Sequence, residues 1–242
     1  MHIAIDIGNT QIKTGIFDKD QLVLRESFPA SAMDDALNML CRNYQVDKGI
    51  LSHVSRLDSE QIKGIRDHMD LLLLDQNTKV PFTNLYSTPE TLGVDRIALA
   101  AAATTKFAGE PVLVIDAGTC ITFDFVNANQ QYEGGSISPG ITMRYKSVHR
   151  FTANLPMLTP ENEIPALGNS TANALHKGIL SGVTYEIDGV IEEYRSKNAN
   201  LTVVLTGGDA NFLSNNIKST IFATPNFLLE GLNSILIHNL AE

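Results

Sequence analysis

At 242 residues, with 43% hydrophobic and 19% charged content, the chain has ordinary globular composition and length for one large domain or two small ones. Its formal net charge of −9 repels phosphate backbones and argues against nucleic acid or an anionic membrane as the main partner. Two cysteines, Cys41 and Cys120, without a C-x-x-C pair, and six histidines without ligand spacing argue against a disulfide framework or a zinc site.

In chain order, residues 2–7 form an apolar run that stops at Asp6-x-Gly8, which predicts a strand and then a turn. An acidic residue interrupts this run and no basic region precedes it, so no signal peptide is expected here. No apolar stretch approaches the ~20 residues of a membrane span, and a soluble cytoplasmic protein is expected. Residues 11–18 and 21–28 follow after short breaks, completing an antiparallel meander. The period then changes, because Ala32, Ala36, Leu37, Leu40 and Cys41 share one helical face. Residues 48–54 return to strand, 59–69 read as a helix with Ser59 at its N-cap, 71–74 as a buried strand and 95–107 as an alanine-rich helix.

The pattern restarts at residues 112–115, which end in Asp116-Ala-Gly118-Thr119. Strands are expected at 120–126 and around Tyr132, and helices at 141–151 and 171–195, the latter broken near Gly182. A strand over 201–205 ends in Thr206-Gly207-Gly208-Asp209, and a helix over 228–239 closes the chain. Asp-x-Gly after a buried strand thus occurs at Asp6 and again at Asp116, close to half a chain later. This predicts a duplicated α/β unit, residues 1–110 and 111–242, joined by a continuous hinge rather than a linker.

The polar cluster in DIGNTQIKTGIFD suits a phosphate. Glycine lets the backbone approach an anion, and successive N–H groups form an anion-binding concavity. Gly8, Asn9 and Thr10 would cradle phosphates from one side, Gly118 and Thr119 from the other, with Lys13 adding positive charge. Asp6 and Asp116 would hold a cation or its water shell. Asp-x-Gly is also ordinary turn chemistry; its recurrence after two buried strands favours a site. The paired glycine of the third turn would let a flat group such as adenine lie against the backbone. The basic stretch Met143-Arg144-Tyr145-Lys146 reads as a solvated helix face.

Seven stretches carry a family resemblance: DIGNTQIKTGIFD at Asp6, TLGVDRIA at Thr91, DAGTCITFDF at Asp116, GGSISPGI at Gly134, FTANLP at Phe151, LGNST at Leu167 and TGGDA at Thr206. In this order they resemble the type III pantothenate kinases of the acetate kinase, sugar kinase, Hsp70 and actin superfamily. The resemblance implies an α/β fold of duplicated actin-like ATPase (ribonuclease H-like) domains with mixed sheets. It implies ATP-dependent phosphorylation of pantothenate on its primary hydroxyl, the first step of coenzyme A synthesis, by a homodimer.

For residues, the resemblance implies that Asp6, Ile7, Gly8, Asn9, Thr10, Gln11, Ile12 and Lys13 form the first phosphate loop for ATP with Mg²⁺, and that Thr119 is a further ATP contact. Gly93, Val94, Asp95 and Arg96 would bind pantothenate, with Asp95 as proton acceptor and Tyr86 and Thr171 as added contacts. Asp116 would be the ligand of a monovalent cation, K⁺ or NH₄⁺. Cys120 stands where alanine is common, and a small packing role is expected of it. The residue types leave other roles open: Asp95 also suits a helix N-cap, and Arg96 a surface salt bridge. The rival functions are another small-molecule kinase of the superfamily, a ligand-binding regulator and an actin-like filament protein.

Overall fold

Strand β1 (His2–Ile7) is buried on both faces from Ile3 onward, the pattern of a central strand. It is followed by β2 (Ile12–Asp18), β3 (Gln21–Phe28), α1 (Met33–Tyr44), β4 (Lys48–His53), α2 (Ser59–Arg66), β5 (Asp70–Leu73), β6 (Thr83–Asn84) and α3 (Val94–Lys106). The chain continues through β7 (Val112–Ala117), β8 (Cys120–Val126), β9 (Gln131–Pro139), α4 (Ile141–Arg150) and α5 (Thr171–Lys197). It ends with β10 (Thr202–Thr206), α6 (Ala210–Ser214), β11 (Phe222–Ala223) and α7 (Phe227–Leu240). This computed structural model describes residues 1–8, 11–53 and 59–241. They gather into two units, Met1–Gly109 with Gln130–Glu133 and Asn226–Glu242, and Glu110–Asn129 with Gly134–Pro225.

In the first unit the sheet order is β3-β2-β1-β4-β5. The meander β1-β2-β3 is antiparallel, and β4 and β5 add to it in parallel. Edge strand β3 alternates between exposed and half-buried positions and carries Arg25 and Glu26, charges that discourage pairing with another chain. Helix α1 buries Met33, Leu37, Leu40 and Cys41 against Ile3, Ile5 and Leu51 of the sheet core. Helix α3 is buried from Val94 to Thr104 except at Asp95. Its alanines let α7 pack on it, and α7 also covers β1, β2 and β4.

The division expected at residue 110 differs here. The closing helix belongs to the first unit, because Phe227, Leu229, Leu232, Ile235 and Leu236 bury their apolar face there. Residues 130–133 belong to it as well: β6 pairs in parallel with the start of β9, Thr83 opposite Gln131.

In the second unit β7 is central. It runs antiparallel to β8 and parallel to β10, which in turn pairs in parallel with β11. The order β9-β8-β7-β10-β11 repeats that of the first sheet, as a duplicated α/β unit requires. Helices α4 and α5 cover a core of Leu113, Ile115, Phe123, Leu180, Val183 and Ile187. The break expected near Gly182 does not occur, and α5 runs 27 residues. One internal glycine costs about 1 kcal/mol relative to alanine. That is small beside burying Ile179, Leu180, Val183, Ile187 and Ile191 along one uninterrupted face. No helix among the described residues is long and apolar enough to cross a membrane.

Candidate active site

In the first unit the ladder places Asp6 opposite Lys13 on β2 and Ser52 on β4. Asp6 is only 8% exposed. Burial pushes its carboxyl up to about 6; the Lys13 charge opposes the rise, the Asp95 charge adds to it and the Ser52 hydroxyl opposes it. Two carboxylates far apart in sequence therefore share one field with an ammonium. Hard carboxylate oxygens suit a divalent cation, and the ammonium suits the phosphate such a cation accompanies.

After β1 the Gly8 N–H donates to the Gln11 carbonyl at 3.2 Å. Asn9 and Thr10 lie outside the described residues. Ile7 and Ile12 are ladder partners whose side chains belong to the core, so only their backbone groups can face a ligand, while Gln11 is exposed.

Asp95 stands in the first turn of α3, behind Gly93 at the N-cap and the buried Val94. Its Oδ1 accepts the Arg96 N–H at 2.8 Å, satisfying one of the unpaired donors of a helix start without being the N-cap. The alternative of a surface salt bridge for Arg96 is corrected by its 5% exposure. Its guanidinium lies 5.5 Å from the centre of the Tyr86 ring and 6.0 Å from that of Tyr132. Backbone hydrogen bonds from Thr83 to Gln130 and from Leu85 to Tyr132, at 3.0 and 2.9 Å, bring these rings together, and Phe82 packs on Tyr132. A desolvated cation over aromatic faces can gain about 2 kcal/mol. Sequence reasoning missed Tyr132 because nothing in NANQQYEGG marks it as more than a strand residue.

In the second unit three glycine turns converge. The Gly118 N–H donates to the Cys120 carbonyl at 2.9 Å, closing the turn after β7. Gly207, at φ 99°, packs on that turn: a Cβ there would lie 2.3 Å from the Ala117 oxygen and 2.5 Å from Asp116 Oδ1. The Asp209 N–H donates to the Ala117 carbonyl at 3.0 Å, and burial raises the Asp209 carboxyl above its ordinary value. From the other side the Gly140 N–H donates to the Thr119 carbonyl at 3.1 Å. A Cβ at Gly140 would lie 2.2 Å from the Gly118 oxygen, so only glycine allows this approach.

Asp116 is half-buried between its ladder partners Thr122 and Thr206, and Thr119 is exposed. Thr171 is the exposed first residue of α5, whose N-cap Ser170 accepts the Asn173 N–H at 3.1 Å. Among the described residues no group of three or more His, Cys, Asp or Glu side chains could hold a metal ion. A cation here would complete its shell with water and phosphate oxygens, as Mg²⁺ commonly does.

Residues 2–193 match the family model described as type III pantothenate kinase. A protein of Christiangramia forsetii named type III pantothenate kinase is 45% identical over 240 residues, covering 99% of each chain. Among solved structures, a Baf family protein of Campylobacter jejuni superposes with a TM-score of 0.65 at 24% identity, covering 99% of this chain and 100% of its own. The inorganic polyphosphate/ATP-glucomannokinase of an Arthrobacter species superposes with a TM-score of 0.50 at 15% identity, covering 99% and 98%. These two likenesses are of fold.

Proposed function

The chain belongs to the type III pantothenate kinase family, and on that premise we propose a residue-level account of its reaction. The enzyme transfers a phosphoryl group from ATP, with a divalent metal ion, to pantothenate in coenzyme A biosynthesis. The observation that carries the account is the field shared by Asp6, Lys13 and Asp95.

Phosphoryl transfer needs positioning, charge neutralisation and a base for the attacking hydroxyl. Asp95 accepts the proton of the pantothenate hydroxyl as the new P–O bond forms. Asp6 is the residue to hold Mg²⁺, which supplies neutralisation of phosphate charge when bound. Lys13 and the turn of Gly8, Asn9 and Thr10 take phosphate oxygens, with Thr119 as a further ATP contact. Arg96 forks onto the pantothenate carboxylate through parallel hydrogen bonds, in an orientation that Tyr86 and Tyr132 confine. Thr171 is a further substrate contact. Asp116 is the ligand of a monovalent cation, K⁺ or NH₄⁺.

A homodimer is part of the account. Phe151 at 80% exposure, with Leu167, Ile137 and Met143 also exposed, leaves large apolar side chains around α4 and the start of α5 that a second copy would cover.

A coupled assay of ATP consumption over a panel of small hydroxyl compounds, in K⁺, NH₄⁺ and Na⁺ in turn, tests the account, with light scattering for mass. Turnover is expected with pantothenate, with K⁺ or NH₄⁺ present, from a dimer. Full activity in Na⁺ alone removes the Asp116 assignment, and an active monomer removes the assembly while leaving the catalytic roles standing.

Arg96→Ala is expected to weaken pantothenate more than ATP, by roughly 1.5–3 kcal/mol, the range for a hydrogen bond to a charged group. Arg96→Lys keeps a charge over the rings but loses the planar fork, and controls for packing. A raised Michaelis constant for ATP, with that for pantothenate unchanged, moves Arg96 to the nucleotide.

A further inference from the structure

Arg144 does not behave as a solvated helix residue. Its side chain is 22% exposed and makes three directed contacts. Nε donates to the Pro139 carbonyl and Nη2 to Ser138 Oγ, both at 2.8 Å, and Nη2 also donates to the Glu186 carboxylate on α5. The residue after Pro139 is Gly140, whose N–H donates to the Thr119 carbonyl and whose added Cβ would lie 2.2 Å from the Gly118 oxygen. A continuous path therefore runs from Glu186 through Arg144 to Ser138-Pro139-Gly140 and on to the turn at Gly118-Thr119. Through its carbonyl, the peptide that follows Thr119 is restrained by Gly140. The planar guanidinium is what allows this: it serves a carbonyl, a hydroxyl and a carboxylate at once from fixed directions, which an ammonium does not reproduce.

We propose that Arg144, clamped by Glu186, is a positioning residue that aims the Gly118-Thr119 turn at the phosphates of ATP. The proposal rests on Thr119 being an ATP contact, and its test separates the two ideas. Arg144→Gln, Arg144→Lys, Glu186→Gln and Thr119→Ala are compared by initial rates against ATP at saturating pantothenate, by the reciprocal series, and by thermal melting.

Arg144→Gln is expected to raise the KM for ATP about tenfold, the scale on which outer partners act when they aim a binding group. The KM for pantothenate stays within about twofold, because the proposed pantothenate contacts lie on other segments. Arg144→Lys fails to restore the ATP constant, and Glu186→Gln raises it less than Arg144→Gln. In the double variant Arg144→Gln with Thr119→Ala, the ATP constant is no worse than in Thr119→Ala alone, because both act through one turn. If Thr119→Ala raises the KM for ATP while Arg144→Gln and Glu186→Gln only lower the melting temperature, Arg144 is structural and the proposal is overturned. If Thr119→Ala leaves the ATP constant unchanged, the ATP contact itself is wrong and the proposal falls with it.

Discussion

Asp95→Asn is expected to lower kcat by about 10²–10⁴-fold, the usual contribution of a positioned general base. The fold should survive, because the asparagine carbonyl can still accept the Arg96 N–H that Asp95 Oδ1 accepts at 2.8 Å. What asparagine cannot do is take a proton from the attacking hydroxyl. Nucleotide binding should hold or tighten: removing one of two neighbouring negative charges lowers the cost of ionising Asp6, whose carboxyl the Asp95 charge helps to raise. Single-turnover rates and calorimetric titration with Mg·ATP separate the two effects. Rates within a few-fold of the parent enzyme would show that Asp95 is not the base.

The second large effect has opposite signs in stability and activity. Asp6→Asn is expected to make the ligand-free protein more stable at neutral pH while abolishing turnover. In the native state burial raises the Asp6 carboxyl from its ordinary value of 3.8 to about 6. Between these values the folded protein holds the proton more tightly than the unfolded chain, so this group's contribution to stability falls as pH rises through the window. Above pH 6 the cost is complete and flat, about 3 kcal/mol at 1.36 kcal/mol per pH unit. Asparagine carries no charge to bury. In a chain of this length about 1 kcal/mol moves the melting temperature by roughly 2–4 °C. The melting temperature of Asp6→Asn should therefore exceed that of the parent clearly at pH 7.5 and by only about a third as much at pH 4.5, which lies near the bottom of the window. Stabilisation by added Mg·ATP, expected in the parent, should vanish in the variant. A variant less stable than the parent at pH 7.5 would mean that Asp6 holds the fold together, rather than being tolerated in it for a cation.

Short-range chemistry was open to reading along the chain. The apolar run into Asp6-x-Gly8, and its repeat into Asp116-Ala-Gly118, announced two buried strands with glycine turns, because strand burial and turn geometry depend on a few adjacent residues. The same locality made the alanine-rich α3 and the meander of β1, β2 and β3 legible within a residue or so of their observed ends. The resemblance pointed to Gly93, Val94, Asp95 and Arg96 as a substrate segment and to Tyr86 as a separate contact, but not to their surroundings. Gly140 and Gly207 were visible only as members of separate motifs; that both press on one turn is a matter of close backbone approach.

The sequence by itself determined the element types, the doubled strand-and-turn pattern and, through its motifs, the family. Only the tertiary structure decided that Arg96 is buried over Tyr86 and Tyr132, that the Asp95 charge bears on Asp6, that Arg144 is pinned by Glu186, and that the closing helix returns to the first unit. The physical reason is range. Propensity and turn geometry act over a few neighbouring residues, whereas burial, desolvation and charge coupling depend on which distant surfaces meet. Arg96 and Arg144 both stand near the start of a helix. One lies over aromatic rings and the other against a carboxylate, a carbonyl and a hydroxyl, and in each case one partner, Tyr132 or Glu186, comes from a segment far along the chain.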